Sequence, residues 1–272
     1  MPMLEQERQI LQELFAVSAI AVIIACPVFA MIRRRYPDLS WNSHGNVWTS
    51  PFGIVEAVFA GLVFVLAPAL IASTPAEAPT PTIASVLVGS LIFAAIAGIV
   101  VSFLGWIRGL NLVELFGLSR LKGWSLMGIS FAWFIPAALA GFAVKFAFDQ
   151  FVWQAAGLNL EDQEIVVALR EGGGGLKFSI FLTAVVIAPV AEEILFRGLM
   201  YASVKRYTER YFAAVFSALA FGLIHANLGS FVPLVVLGMF FALAYEITGC
   251  LAVPILMHAF FNAISVSMIL NA

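Results

Sequence analysis

A chain of 272 residues that is 62% hydrophobic and only 11% charged, with a mean hydropathy of +1.01, is far more apolar than a soluble domain, which carries about 25% charged residues. A net charge of -2 without a long basic run offers no footprint for a nucleic-acid partner. Cys26 and Cys250 show no metal-ligand spacing, and a bond between them cannot be argued from sequence. The composition is that of a multi-pass integral membrane protein, expected in a bacterial or archaeal cell membrane, or in the endoplasmic reticulum membrane of a eukaryote.

The first 13 residues are polar and lean acidic, unlike the positive start of a cleaved signal peptide. Apolar runs long enough for ~30 Å of hydrocarbon then lie at about 14–32, 53–72, 83–107, 124–148, 178–203, 211–226, 231–248 and 251–270. The expected fold is all-α, with about eight transmembrane helices. Residues 1–123 would be N-terminal scaffold helices and residues 124–272 a C-terminal membrane core. Connections 33–52, 108–123 and 204–210 hold nine Lys and Arg, whereas the N-terminus, 73–82 and 149–177 hold three. The basic set should face the cytoplasm, with Arg33 to Arg35 as a topology anchor and both termini outside.

The 73–82 connection is Pro-rich and should be extended. Residues 108–123 end in an apolar and basic stretch that suits a segment on the membrane surface. In 149–177, Asn159 as cap, acids in the first turn and a glycine stop read as a short helix. That helix would act as a tether rather than a lid, with Gly172 to Gly175 as its hinge. Pro189 lacks an N–H for the carbonyl of Val185 and should bend the fifth span.

Polar residues within the spans are unevenly spread. The first four spans hold only Glu56 and the terminal Lys145, while the last four hold Glu192, Glu193, Arg197, His225, Glu246 and His258. Each unpaired charge in lipid costs at least ~2.5–3.5 kcal/mol. Glu193 and Arg197, four apart, can neutralise each other on one helix face, whereas Glu192 points about 100° away. Phe221 and His225 share a face, as do His258 and Asn262. His44 lies in a polar loop and reads as solvated, Glu56 has no evident partner, and Glu246 reads as an interface residue outside the site.

A glutamate and an imidazole can hold a water and remove its proton, and imidazole or carboxamide N–H groups can meet a tetrahedral oxyanion. Those are the parts of an amide hydrolase without a serine. Two histidines and a glutamate also make a three-ligand zinc set, Glu192, His225 and His258. With straight helices ending in common planes, the three would miss one another by roughly 10 Å. Tilt, a bend at Pro189 or shifted helix ends would have to close that gap.

Glu-Glu-x-x-x-Arg at 192–197, Phe-x-x-x-His at 221–225 and His-x-x-x-Asn at 258–262, in order on successive apolar helices, resemble the three motifs of the CPBP family. This is the CAAX-protease and bacteriocin-processing group of intramembrane proteases, which includes the type II CAAX prenyl endopeptidases. The resemblance covers about residues 178–270. It implies that Glu192 and His225 activate water, that His258 and Asn262 stabilise the oxyanion, and that Glu193, Arg197 and Phe221 support them. The preferred mechanism needs no cofactor, with zinc as the alternative. The implied substrate is a membrane-embedded or lipidated peptide. A non-catalytic scaffold or immunity protein of the same family, or a transporter using these residues as a relay, are the rival expectations.

Overall fold

The computed structural model describes residues 2–36, 45–73, 80–158, 160 and 163–271, of which 2–4 and 66–73 are described as backbone alone. His44, Asn159 and most of the 73–82 connection lie outside the described residues. The chain is all-helical: α1 (Pro2–Arg35), α2 (Ile54–Ser73), α3 (Ile83–Ile107), a short α4 (Leu112–Leu115), α5 (Gly123–Ala155), α6 (Glu164–Glu171), α7 (Gly174–Tyr207), α8 (Arg210–Ile224), α9 (Leu228–Thr248) and α10 (Ala252–Leu270). Each of the eight expected spans is a helix. Among the described residues, six are long and apolar enough to cross a membrane; α8 is shorter, and of α2 only Ile54–Val65 is described with its side chains.

Local chemistry sets the helix ends. Thr82 and Ser85 form a reciprocal capping box at the start of α3. The Asn227 side chain accepts the Ser230 N–H at 2.8 Å to open α9. The Glu7 carboxylate takes the Leu228 N–H at 2.6 Å, a negative group at the positive end of α9. Gly249, at φ +61, ends that helix in the left-handed region.

Within the bundle, α9 is central. Over half of its most apolar window is buried (56%), against 6% for α1. Ile20, Ile23 and Ile24 of α1, Val58 and Leu62 of α2, and Val88, Leu91 and Ile92 of α3 project outward, as a lipid-facing surface requires. Trp106 and Trp124 are 87% and 91% exposed beside Arg108 and Lys122, the placement expected of an aromatic belt at a membrane interface. One apolar core joins residues of both halves, from Leu11 and Phe64 to Leu195 and Phe241.

Several connections are more tightly docked than their sequences suggest. Residues 108–123 are mostly exposed but anchored at their centre: Leu115 and Phe116 are buried, and the Phe116 carbonyl accepts the Leu251 N–H at 2.9 Å. Gly117, at φ +62, packs directly on the Gly249 backbone, where a Cβ has no room. Arg33, expected only as a charge anchor, donates to the carbonyls of Arg206 and Thr208. Glu56 has a partner far along the chain, Arg108 Nε at 2.6 Å.

The 149–177 connection is likewise more than a tether. In α6, Leu169 packs with Ile180 and Val266, and α7 already begins at Gly174, so two of the four supposed hinge glycines are helical. Glu246, read as an interface residue, is 5% exposed. It receives Lys205 Nζ at 2.6 and 2.8 Å and the Tyr201 hydroxyl at 2.7 Å.

Candidate active site

Helix α7 carries Glu192, Glu193 and Arg197, and it is not a plain α-helix. Two π-helical stretches, Thr183–Ile187 and Ile194–Tyr201, flank the segment Ala188–Glu193. Such turns concentrate at functional sites because they re-aim side chains. Pro189 lies just past the first of them, so the helix answers the missing N–H with a change of register.

The three motif helices meet at one depth. Glu192 lies fifteen residues before Tyr207 and His225 fifteen residues after Arg210, so both stand about 22 Å from the turn joining α7 to α8. The start of α10 is set deeper than that turn: Leu251 abuts Gly198, six residues along α7 from Glu192. Seven residues on from Leu251, His258 reaches the same level, ~10 Å away. The expected gap vanishes because the helices do not end in common planes.

At that level the Glu192 Oε2 atom is 4.0 Å from His225 Nε2 and 3.9 Å from His258 Nε2, and it is buried without a hydrogen-bond partner. The other nitrogen of each ring is occupied. His225 Nδ1 is 2.7 Å from the Phe221 carbonyl, which can only accept, so this nitrogen donates. His258 Nδ1 is 3.1 Å from Glu193 Oε1, a carboxylate already paired with Arg197 Nη1 at 2.9 Å. Both Nε2 atoms are thereby turned toward Glu192.

Arg197 is fully buried and spread over four contacts. Besides Glu193 it donates to the Gly238 carbonyl at 3.0 Å, and its guanidinium lies over the rings of Phe221 and Phe241, 4.6 and 5.2 Å from their centroids. Phe221 also meets His225 and His258 edge-on, at 4.9 and 5.5 Å. His258 stacks on Phe241 at 5.2 Å. Gly238 and Phe241, both on α9, are site residues that the sequence reading missed. A Cβ on Gly238 would stand 3.1 Å from Arg197 Nη2 and 3.0 Å from Ala218 Cα, so the close approach of α9 needs glycine.

Asn262 donates its Nδ2 to the Ala184 carbonyl at 2.7 Å. The structure thus gathers Glu192, His225 and His258 around one point and engages Asn262 with the backbone of α7. A zinc site would need donors ~2.1 Å from a common ion and so ~3.4 Å from one another. As placed, Glu192 Oε2 stands 4.0 and 3.9 Å from the Nε2 atoms of His225 and His258, about half an ångström beyond that spacing.

Access is lateral. A cavity of about 460 Å³ runs between α3 and α7, from Pro81, Ser85 and Val86 to Glu192, with Ile165 of α6 on its wall. Its lining is apolar apart from Glu192 and a few hydroxyls, of which Ser90 and Thr183 are hydrogen-bonded to each other at 2.8 Å.

Residues 174–264 match the family model described as type II CAAX prenyl endopeptidase Rce1-like. A Bacillus subtilis protein described as "Putative membrane peptidase YdiL" is 32% identical over 83 residues, which is 30% of this chain and 34% of that protein. The match spans about a third of the relative's length. No solved structure matches the chain. Over the helices that build the site, the chain is therefore similar to the type II CAAX prenyl endopeptidases.

Proposed function

We propose that the chain is an intramembrane peptidase in which Glu192 acts as general base on a water held between its Oε2 and the two imidazoles. One observation carries this reading: a buried carboxylate oxygen without a partner, flanked by two Nε2 atoms whose rings are fixed from behind. A gap of about 4 Å between acceptors is too long for a direct bond, and a polar gap bridged by water is the usual resolution.

In the proposed step Glu192 and His225 orient the water and Glu192 takes its proton. The oxygen then adds to the peptide carbonyl. His258, with Nδ1 held by Glu193, presents Nε2 to the site and donates to the oxyanion when that nitrogen carries a proton. The C–N bond breaks and Glu192 returns the proton to the leaving amine. Arg197 and Phe221 fix the two histidines, and Asn262, with one amide hydrogen on the Ala184 carbonyl, keeps its second N–H for the oxyanion.

The position of the site favours one substrate class. An apolar cavity that opens along the bundle and ends at a carboxylate suits a peptide already anchored in the bilayer, by a transmembrane segment or a lipid. The mechanism needs no metal. The test is cleavage of prenylated and plain transmembrane peptides by purified protein, wild type against Glu192→Gln, with and without a strong zinc chelator. Glu192→Gln should slow cleavage by about 10²–10⁴-fold, and the chelator should change nothing. Loss with chelator, restored by zinc, would overturn the metal-free mechanism. Full activity in Glu192→Gln would overturn the assignment of the base.

A further inference from the structure

Helix α8 delivers His225 from its end. The histidine is the C-cap of that helix, and only Ala226 and Asn227 separate it from Leu228, the first residue of α9. Ala226 has φ +49, a left-handed backbone that a residue with a Cβ keeps only where its surroundings impose it. The place of the imidazole therefore depends on what holds this turn. Asn227 fastens it from within, by capping Ser230. Glu7 fastens it from outside: its Oε1 accepts the Leu228 N–H at 2.6 Å, from 221 residues away along the chain.

Glu7 belongs to α1, which lies outside the residues that match the family model and has only 6% of its most apolar window buried. Both ends of α1 are nonetheless tied to α8. Leu11, one turn beyond Glu7 and on the same face, is 1% exposed and part of the core. At the other end, Arg33 donates to the carbonyls of Arg206 and Thr208, in the turn that opens α8. The ring of Phe29 meets that of Phe212, on α8, at 5.9 Å. The helix that carries His225 is thus held at the turn before it and at the turn after it by the same distant helix.

We propose that α1 is a brace for α8, and that Glu7 is a positioning residue that acts through the Leu228 N–H to set where His225 Nε2 faces Glu192. A carboxylate at the positive end of α9 holds the first turn of that helix, and with it the far side of the Ala226 turn. Without it the turn can relax and carry the end of α8 along. The Phe221 carbonyl fixes the imidazole relative to α8, so a shift of the helix end moves the ring with it. The space at stake is the 4.0 Å between His225 Nε2 and Glu192 Oε2, where a displacement of about 1 Å is costly to the rate.

The test compares wild type, Glu7→Ala, Glu7→Gln, Leu228→Pro and the Glu7→Ala, Leu228→Pro double variant in lipid nanodiscs. Glu7→Ala should lower kcat by about tenfold or more with KM little changed, as for a misplaced catalytic group. Glu7→Gln keeps an oxygen for the N–H and should stay within about threefold of wild type. Leu228→Pro removes the donor at the first helical position, where proline is tolerated, after an extended Asn227 that suits it. In that background Glu7→Ala should add less than about twofold. Equal losses in both backgrounds, or a Glu7→Gln as slow as Glu7→Ala, would overturn the proposal. If Leu228→Pro folds poorly, the comparison of Glu7→Gln with Glu7→Ala decides.

The kinetic arm rests on the peptidase reading, so a second arm uses no substrate. Deuterium exchange of the amides of residues 225–230 should quicken by about tenfold in Glu7→Ala, while the 252–258 segment of α10 keeps its wild-type rate. Unchanged exchange at 225–230 would overturn the brace. If the wild type cleaves nothing, the peptidase reading fails and exchange still decides what Glu7 holds.

Discussion

Two buried carboxylate clusters tie the C-terminal helices together, and they differ in one respect. At the end of the bundle that gathers the basic connections, Glu246 has both oxygens occupied, by Lys205 and by the Tyr201 hydroxyl, and Lys205 also reaches the Val47 carbonyl at 3.2 Å. At the site, the Glu192–Glu193–Arg197 cluster leaves Glu192 Oε2, Glu193 Oε2 and Arg197 Nε without hydrogen-bond partners. Buried polar groups are normally satisfied. The complete cluster is what a fold needs to fasten helices. The incomplete one keeps acceptors open where a water or a substrate group can enter.

The largest effect should come from the charge that both parts of the site share. Arg197→Ala removes the counter-charge of Glu193 and the cation over Phe221 and Phe241. Breaking a fully buried pair costs about 3–5 kcal/mol, enough to deplete the folded protein. Size-exclusion profiles of tagged protein should show the monodisperse peak lost, and a full-yield, active Arg197→Ala would break the view that this pair is the keystone of the site.

A smaller and opposite-signed contrast sharpens the comparison further. Glu246→Gln keeps an acceptor but leaves Lys205 without its carboxylate, at a cost of about 1.5–3 kcal/mol, with no direct effect on cleavage. Glu192→Gln should do the reverse, ending cleavage while Tm holds or rises, since it removes a charge that the fold leaves unpaired. Thermal unfolding of the two variants side by side checks this. Equal losses of Tm would mean that both clusters are fasteners.

How much of this was legible in the sequence depends on what lipid enforces. The eight helices were readable because a spanning backbone must satisfy itself, and only long apolar runs can do so. Glu192, His225 and His258 were readable because polar groups inside such runs need a reason to be there. Their convergence was not, because depth counted from common end planes misplaces α10, and the seating of Leu251 against Gly198 is a tertiary fact.

Gly238 and Phe241 were invisible for a different reason. On a membrane helix a glycine and a phenylalanine facing an arginine look the same as those facing lipid, and only the partner distinguishes them. The partners of Glu56 and Glu246, Arg108 and Lys205, were not readable because they lie 52 and 41 residues away, beyond any local pattern. The π register was also hidden, although Pro189 marked the place.

The smallest effect belongs to a third ion pair, which calibrates the other two. Lys145 and Asp149 are 2.6 Å apart but 45% and 38% exposed, and the base precedes the acid, the poorer order on a helix. They line a polar cavity of about 490 Å³ together with Trp153, Gln163 and Asn227, two residues from His225. If that cavity is open to water, Asp149→Asn should cost no more than ~0.5 kcal/mol, a Tm change of about 2 °C or less, and added salt should shrink it further. A loss several times larger and insensitive to salt would mean that the cavity excludes water. The route for water to Glu192 would then have to run along the groove between α3 and α7, past Ser85 and Ser90, rather than through the loop after His225.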